Sequence, residues 1–233
     1  MSVIRLVLMI FWTFSLMLIA PLFIPFTFNR QFPLYVARVL FAPVLMKISG
    51  IQLMVKGKEN VPKNEPVIFV ANHNSHLDIG CLCAALPVNL HFIGKKELMW
   101  TPVVGWYMFI AGHIFIDRSS RIKSINSLKK AANKIHQGKS VVMFPEGTRS
   151  LTGKVGAFKK GAFHLAMQAK VKIVPVSIDG TFKVWSKNSN KITPGKVVVS
   201  IGNPINTANY ANNNIKDLME LAHQQIITMK SNQ

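Results

Sequence analysis

The segment Pro66-Val67-Ile68-Phe69-Val70-Ala71-Asn72-His73-Asn74-Ser75-His76-Leu77-Asp78 passes from an unbroken apolar run into a polar turn, and Ile79 to Leu86 is apolar again. A short apolar run that stops at a turn reads as a buried strand, and the run after it as a helix. Reactive side chains concentrate where a rigid strand feeds an open turn and a helix start. That arrangement implies an α/β framework with its chemistry at a strand end.

Within the turn, His73 and Asp78 stand five positions apart. Imidazole has an ordinary pKa of about 6.5, the closest of any side chain to working pH. A carboxylate bonded to its Nδ1–H fixes the tautomer and leaves Nε2 to accept a proton. A helix N-terminus nearby favours the neutral ring. The pair therefore suits a general base with its orienter, and needs no serine or cysteine nucleophile if the substrate supplies a hydroxyl. Spacing alone leaves two alternatives open. Ser75-x-x-Asp78 is also a capping box, with Asp78 satisfying backbone donors. His73-x-x-His76 with Asp78 is also a possible metal-ligand spacing. His91, His113, His136, His164 and His223 are scattered singly and form no second cluster.

The chain has 233 residues, 49% of them hydrophobic, a length that suits one α/β domain with an attachment segment. Its 28 basic and only nine acidic residues leave a formal charge of +19. That excess implies an anionic partner. Combined with so apolar an N-terminus, it favours a lipid surface over nucleic acid. Cys81 and Cys83 are the only cysteines, so there is no disulfide framework and no zinc-finger spacing, and reduced buried thiols are expected.

No charge falls between Arg5 and Arg30. Residues 6–28 as one helix would span about 34 Å, enough for a bilayer core, although Pro21 and Pro25 should disrupt the last turns. Residues 31–49 are apolar apart from Arg38 and Lys47, the pattern of an interfacial amphipathic helix. More basic residues follow the first segment than precede it, which places the main body on the cytoplasmic side of the cell membrane. Residues 1–49 thus form a membrane anchor or docking unit, and residues 50–233 the catalytic domain. Strands are predicted at 51–55, 67–71, 90–93, 113–116, 140–144, 172–178 and 197–201. Helices are predicted at 76–85, 101–110, 122–137, 160–168 and 215–229. The alternation implies an α/β fold with a mostly parallel sheet flanked by helices.

Two further turns follow apolar runs. Gly112-His113-Ile114-Phe115-Ile116-Asp117-Arg118 ends in a charged pair, and Phe144-Pro145-Glu146-Gly147-Thr148-Arg149-Ser150 carries Glu146, Thr148 and Arg149. Residues just past the carboxyl ends of strands line the crevice of an open α/β sheet. Arginine suits phosphate there because its planar fork donates two parallel hydrogen bonds; surface turns with solvated charges are the alternative. Of the lysine pairs, Lys95 and Lys159 lie beside proposed crevice turns. Lys123, Lys129, Lys130 and Lys134 on the 122–137 helix suit anionic lipid. The apolar run from Trp100 to Ile110 is either core or a wall for an acyl chain.

These motifs, in this order, resemble the lysophosphatidate (1-acylglycerol-3-phosphate) acyltransferases and their glycerolipid acyltransferase relatives. Asn72-His73-x4-Asp78 is similar to the first motif of that family, Gly112 to Arg118 to the second, Phe144 to Ser150 to the third, and Val174-Pro175-Val176 to the fourth. The resemblance implies His73 as general base and Asp78 as its orienter. It implies Arg118, Glu146, Gly147, Thr148 and Arg149 at the glycerol-phosphate site, with Lys95 near that phosphate. It further implies acyl transfer from acyl-CoA or acyl-carrier protein to the sn-2 hydroxyl of 1-acylglycerol 3-phosphate, giving phosphatidate. No cofactor, metal or nucleic acid is required, and an anionic phospholipid membrane is the expected partner. Other lyso-lipids or glycerol 3-phosphate are alternative acceptors. A metal-dependent hydrolase on His73, His76 and Asp78, and a non-enzymatic peripheral protein that binds anionic lipid or nucleic acid through charge alone, are the rival classes. Residues past 205 match no motif.

Overall fold

The computed structural model describes residues 2–117, 119–211 and 214–231, so Arg118, expected at the phosphate site, lies outside the described residues. The apolar runs become β1 (Ile51–Lys56), β2 (Val67–Ala71), β3 (Leu90–Lys95), β4 (Ile114–Ile116), β5 (Ser140–Met143), β6 (Lys172–Asp179) and β7 (Gly195–Ile201). Among the described residues these form one sheet in the order β1-β7-β6-β2-β5-β3-β4. β6, β2, β5, β3 and β4 all run parallel. β7 is antiparallel to β6, with Val176 opposite Ile201 and Asp179 opposite Val198, and β1 pairs parallel with β7. The sheet is thus mostly parallel, with two reversed strands at one edge. The reversal arises because the β6–β7 connection contains only a short helical turn and returns along the same edge, whereas a parallel neighbour needs a full crossover.

The helices are α1 (Ser2–Ile19), α2 (Ile24–Thr27), α3 (Phe32–Val36), α4 (Ala42–Ser49), α5 (Leu77–Ala85), α6 (Val104–Ile110), α7 (Arg121–His136), α8 (Gly161–Ala169), α9 (Thr181–Val184) and α10 (Ile215–Ser231). Successive side chains of a strand point to opposite faces, and β2 is buried throughout, so both of its faces are covered. Val67, Phe69 and Ala71 join Leu77, Cys81, Leu82 and Leu86 on the face beneath α5 and α4. Ile68 and Val70 join Ile135 of α7, Phe163 and Leu165 of α8, and Leu218 of α10 on the other. Cys81 and Cys83 are buried free thiols; burial raises both, Cys83 to about 12. Gly80 lets α4 close onto α5, since a Cβ there would sit 2.6 Å from a Leu45 methyl.

The N-terminal apolar stretch is interrupted where the prolines predict. α1 stops at Ile19, a 3-10 turn carries Pro21, and α2 carries Pro25 before Phe28 turns left-handed at φ 50°. α1 packs antiparallel to α4: Trp12 Nε1 donates to the Phe41 carbonyl at 3.2 Å, and Arg5 to the Ser49 carbonyl at 3.1 Å. The outer surface of this hairpin is apolar and open, with Phe26 80% and Phe28 93% exposed. Ser2–Thr27 and Phe32–Ser49 are each long and apolar enough to cross a membrane, by length and composition.

Two buried histidines lie at the β3–β4 pair, His91 within β3 and His113 just before β4. His113 Nδ1 accepts from the Phe92 N–H at 2.9 Å, which assigns its proton to Nε2. His91 Nδ1 lies 3.3 Å from the Ser140 carbonyl. Burial, then the neighbouring His91 and Lys139, lower His113 to about 3, and burial, then Lys139, lower His91 to about 4. A histidine held below its unfolded value near 6.5 binds fewer protons when folded, so its contribution is complete above that value and is lost as the pH falls. The urea midpoint should therefore drop between about pH 6.5 and pH 4. His113→Gln, whose amide oxygen still accepts from Phe92 but does not titrate, should flatten that pH slope; an unchanged slope refutes the assignment.

Candidate active site

Five parallel strands deliver their carboxyl ends to one edge of the sheet, where β2, β5 and β6 are adjacent. The turns after these three strands therefore meet. His73 Nδ1 lies 2.8 Å from Asp78 Oδ2, with the carboxylate fully buried and the imidazole 17% exposed. The same oxygen accepts the backbone N–H groups of Asn74 at 2.6 Å and Ser75 at 2.8 Å. Orienter and backbone anchor, alternatives by spacing, are thus one arrangement. The His73 ring stacks on Phe144 from the β5 turn, centroids 4.0 Å apart and planes 14° apart. Among the described residues Nε2 has no hydrogen-bond partner, and His73 lines the cavity described below.

The backbone of His73 is gripped by the β5 turn. Its N–H donates to Glu146 Oε1 at 2.8 Å, and its carbonyl accepts from the Ser150 N–H at 2.8 Å. Glu146 is buried, and its other oxygen accepts from the Gly156 N–H at 2.9 Å. Both carboxylate oxygens therefore accept from backbone, and Glu146 clasps the His73 turn to the β5 turn. From β6, the Ile178 N–H donates to Asn72 Oδ1 at 2.7 Å, and Asn72 Nδ2 donates to the Ile178 carbonyl at 2.8 Å. Sequence reasoning assigned Asn72 and Phe144 no role, although both stand inside the quoted motifs.

The cations divide into two groups. At the ends of β3 and β4, Lys95 lies 3.5 Å from Glu97 and Lys96 lies 3.1 Å from Asp117. Asp117 is held well below the usual carboxylate range by the Ser119 hydroxyl and N–H, and by Lys96. At the β5 turn, Lys187 Nζ donates to Thr148 Oγ1 at 3.2 Å. The Lys159 ammonium stands over Gly147, 2.8 Å from where a Cβ would lie, and the φ of 76° at Gly147 favours glycine there. Arg149 stands close enough to His76 to help lower its pKa, after burial, and His73 adds to the effect. Among the described residues no three His, Cys, Asp or Glu side chains converge as metal ligands. His76 turns to Trp185, ring centroids 5.5 Å apart. Lys187 and Trp185 carried no sequence signal, because they sit in a polar loop remote from the motifs.

His73, Gly147 and Lys95 open onto a cavity of about 720 Å³ that runs beneath the N-terminal hairpin. Its depth is lined by Leu16, Leu34 and Phe41 on one side and by Tyr107 and Met108 of α6 on the other. The apolar run from Trp100 to Ile110 is thus a wall, and its outer surface, with Trp106 and Phe109, is exposed.

The acyltransferase family model matches residues 52–179, which contain the turns after β2 and β5 but not the loop that carries Trp185 and Lys187. The 1-acyl-sn-glycerol-3-phosphate acyltransferase of Saccharomyces cerevisiae is 37% identical over 190 residues, covering 80% of this chain and 62% of the relative. The enzyme of the same name from Cocos nucifera is 34% identical over 215 residues, covering 92% of this chain and 68% of the relative. The chain thus spans about two thirds of the length of these curated relatives. The crystal structure of the 1-acyl-sn-glycerophosphate (LPA) acyltransferase PlsC from Thermotoga maritima superposes with a TM-score of 0.79 at 29% identity, covering 97% of this chain and 95% of that one. With over half of its length matched by that family model and the whole fold shared with PlsC, the chain belongs to the acyltransferase family.

Proposed function

We propose that the protein transfers an acyl group from a thioester donor, acyl-CoA or acyl-carrier protein, to the sn-2 hydroxyl of 1-acyl-sn-glycerol 3-phosphate, giving phosphatidate. The observation that carries this reading is the 2.8 Å contact between His73 Nδ1 and buried Asp78, with Nε2 unbonded among the described residues and His73 lining an apolar cavity. His73 Nε2 removes the hydroxyl proton as the oxygen attacks the thioester carbonyl. The tetrahedral intermediate collapses, the C–S bond breaks, and the departing thiolate takes the proton back from the imidazolium. Asp78 stabilises that imidazolium and holds the ring in register. The intermediate is formed directly on the acceptor, so the chain supplies no nucleophile of its own.

General base catalysis typically contributes about 10²–10⁴-fold, and alignment of two bound reactants roughly 7–11 kcal/mol in favourable systems. The alignment is assigned to two features. The cations at the β5 turn, with Lys95, Thr148 and Arg118, hold the phosphate; the cavity under the hairpin takes an acyl chain. Glu146 acts as a positioning residue that fixes His73 to that turn. Residues 1–49 dock the protein on an anionic phospholipid membrane through the exposed face of the hairpin, with the catalytic domain on the cytoplasmic side.

His73→Ala should lower kcat by about 10³-fold or more while leaving vesicle binding intact; near-native turnover refutes the base assignment. Arg149→Ala should raise the apparent KM for lysophosphatidate by about tenfold, and an unchanged KM counts against the phosphate site. Glu146→Gln puts an amide N–H against a backbone N–H. It should cost on the order of tenfold to a hundredfold in kcat with little change in KM, and the reverse pattern would make Glu146 a substrate ligand. Assay against lysophosphatidate, other lyso-phospholipids and glycerol 3-phosphate fixes the acceptor.

A further inference from the structure

The acceptor assigned above carries a phosphate monoester, and its recognition involves a residue outside every motif. We propose that Lys187, with Lys159, closes a cation clamp over the Gly147-Thr148-Arg149 turn, and that the clamp selects a phosphate monoester over a phosphodiester headgroup. The proposal rests on the acyltransferase reading, since it places the acceptor's phosphate at this turn.

Three cations stand at or beside this turn, from different parts of the chain. Arg149 belongs to the turn itself. Lys159 folds back so that its ammonium covers Gly147, and Lys187 reaches in from the loop after β6 to the Thr148 hydroxyl. None has an acidic partner: the ion pairs among the described residues are His73–Asp78, Lys95–Glu97, Lys96–Asp117, Lys172–Glu65 and Lys230–Asp179. The carboxylate nearest in sequence, Glu146, spends both oxygens on backbone N–H groups. Like charges gathered without a counter-ion repel, and an anion seated among them relieves that repulsion.

Lys187 is not on a free-floating loop. Trp185, two residues before it, accepts from the Ser75 hydroxyl through its carbonyl at 2.6 Å and donates from Nε1 to the Ser189 carbonyl at 2.7 Å. Its ring lies against His76. Farther on, the Thr193 N–H donates to the Val184 carbonyl at 2.9 Å. The loop carrying the ammonium is therefore bolted to the turn that carries His73, and proton acceptor and phosphate cation share one frame.

Charge explains the selectivity. A phosphate monoester has a second pKa of about 6 and carries close to two negative charges at neutral pH, while a phosphodiester carries one. A lysine ammonium acts as a point charge, so its removal weakens a dianion more than a monoanion.

The test compares the full chain and its Lys187→Gln and Lys187→Arg variants in mixed micelles, with lysophosphatidate and lysophosphatidylglycerol as acceptors. Lys187→Gln should lower the ratio of kcat/KM for lysophosphatidate to that for lysophosphatidylglycerol about tenfold, with the loss in KM, and Lys187→Arg should restore most of it. An unchanged ratio, or a loss confined to kcat, overturns the clamp. Failure of the unmodified protein to acylate any lyso-lipid would overturn the acyltransferase reading instead. In that event, calorimetric titration with glycerol 3-phosphate still decides the clamp: weaker binding by Lys187→Gln supports it, and equal binding overturns it.

Discussion

A single buried oxygen, Asp78 Oδ2, accepts from the His73 ring and from two consecutive backbone N–H groups. A buried carboxylate is costly unless it is well hydrogen-bonded, and this one is bonded by the turn it shapes. The N–H groups of Asn74 and Ser75 would otherwise point into protein with no acceptor at the entry to α5. The acid therefore makes the turn possible and orients the imidazole in the same act. Loss of Asp78 would release the backbone as well as the ring, so an isosteric amide is the more informative replacement than alanine.

The sheet order extends this local constraint to the whole site. β2 lies between β5 and β6, so the turns after all three are neighbours, although their sequences are scattered from residue 72 to residue 189. Each neighbour holds the histidine turn through backbone. Glu146 and Ser150 grip His73 from the β5 side, and Ile178 pairs with the Asn72 amide from the β6 side. Backbone anchors of this kind leave side chains free for chemistry, and they make the position of His73 a property of the central strands. The site is preorganised to the extent that those strands are rigid, and both of their faces are packed.

Most of the fold was legible because its determinants are local. Apolar runs of strand length, helical periodicity and turn residues placed the strands and main helices within a few residues, and Pro21 and Pro25 marked the break after α1. The dyad was legible for the same reason, as both partners sit in one turn. What escaped depended on contacts between remote segments. Nothing in Val197 to Ile201 distinguishes a strand that runs with its neighbour from one that runs against it. The backbone contacts of Glu146 are of this kind, since only the fold brings its oxygens to the N–H groups of His73 and Gly156. Lys187 reads as one lysine among many, and only the fold brings it to Thr148.

The net charge of +19 takes on a more definite meaning once the cations are placed. At the β3 and β4 ends of the crevice, Lys96 pairs with Asp117, while Lys95 makes only a long, solvent-exposed contact with Glu97 and keeps its charge for an anion. At the β5 end, Arg149, Lys159 and Lys187 have no such partner among the described residues. An anionic headgroup approaching the crevice therefore meets a field that rises toward Gly147 and Thr148. The apolar cavity leads away from the same mouth, under the hairpin whose outer face is itself apolar. Charge at one end and hydrocarbon-like lining at the other fix the orientation of an amphiphile before any catalytic contact forms. A lysine-rich surface alone would attract an anionic lipid without ordering it; under the proposed function, unpaired cations beside an apolar cavity would convert that attraction into alignment at His73.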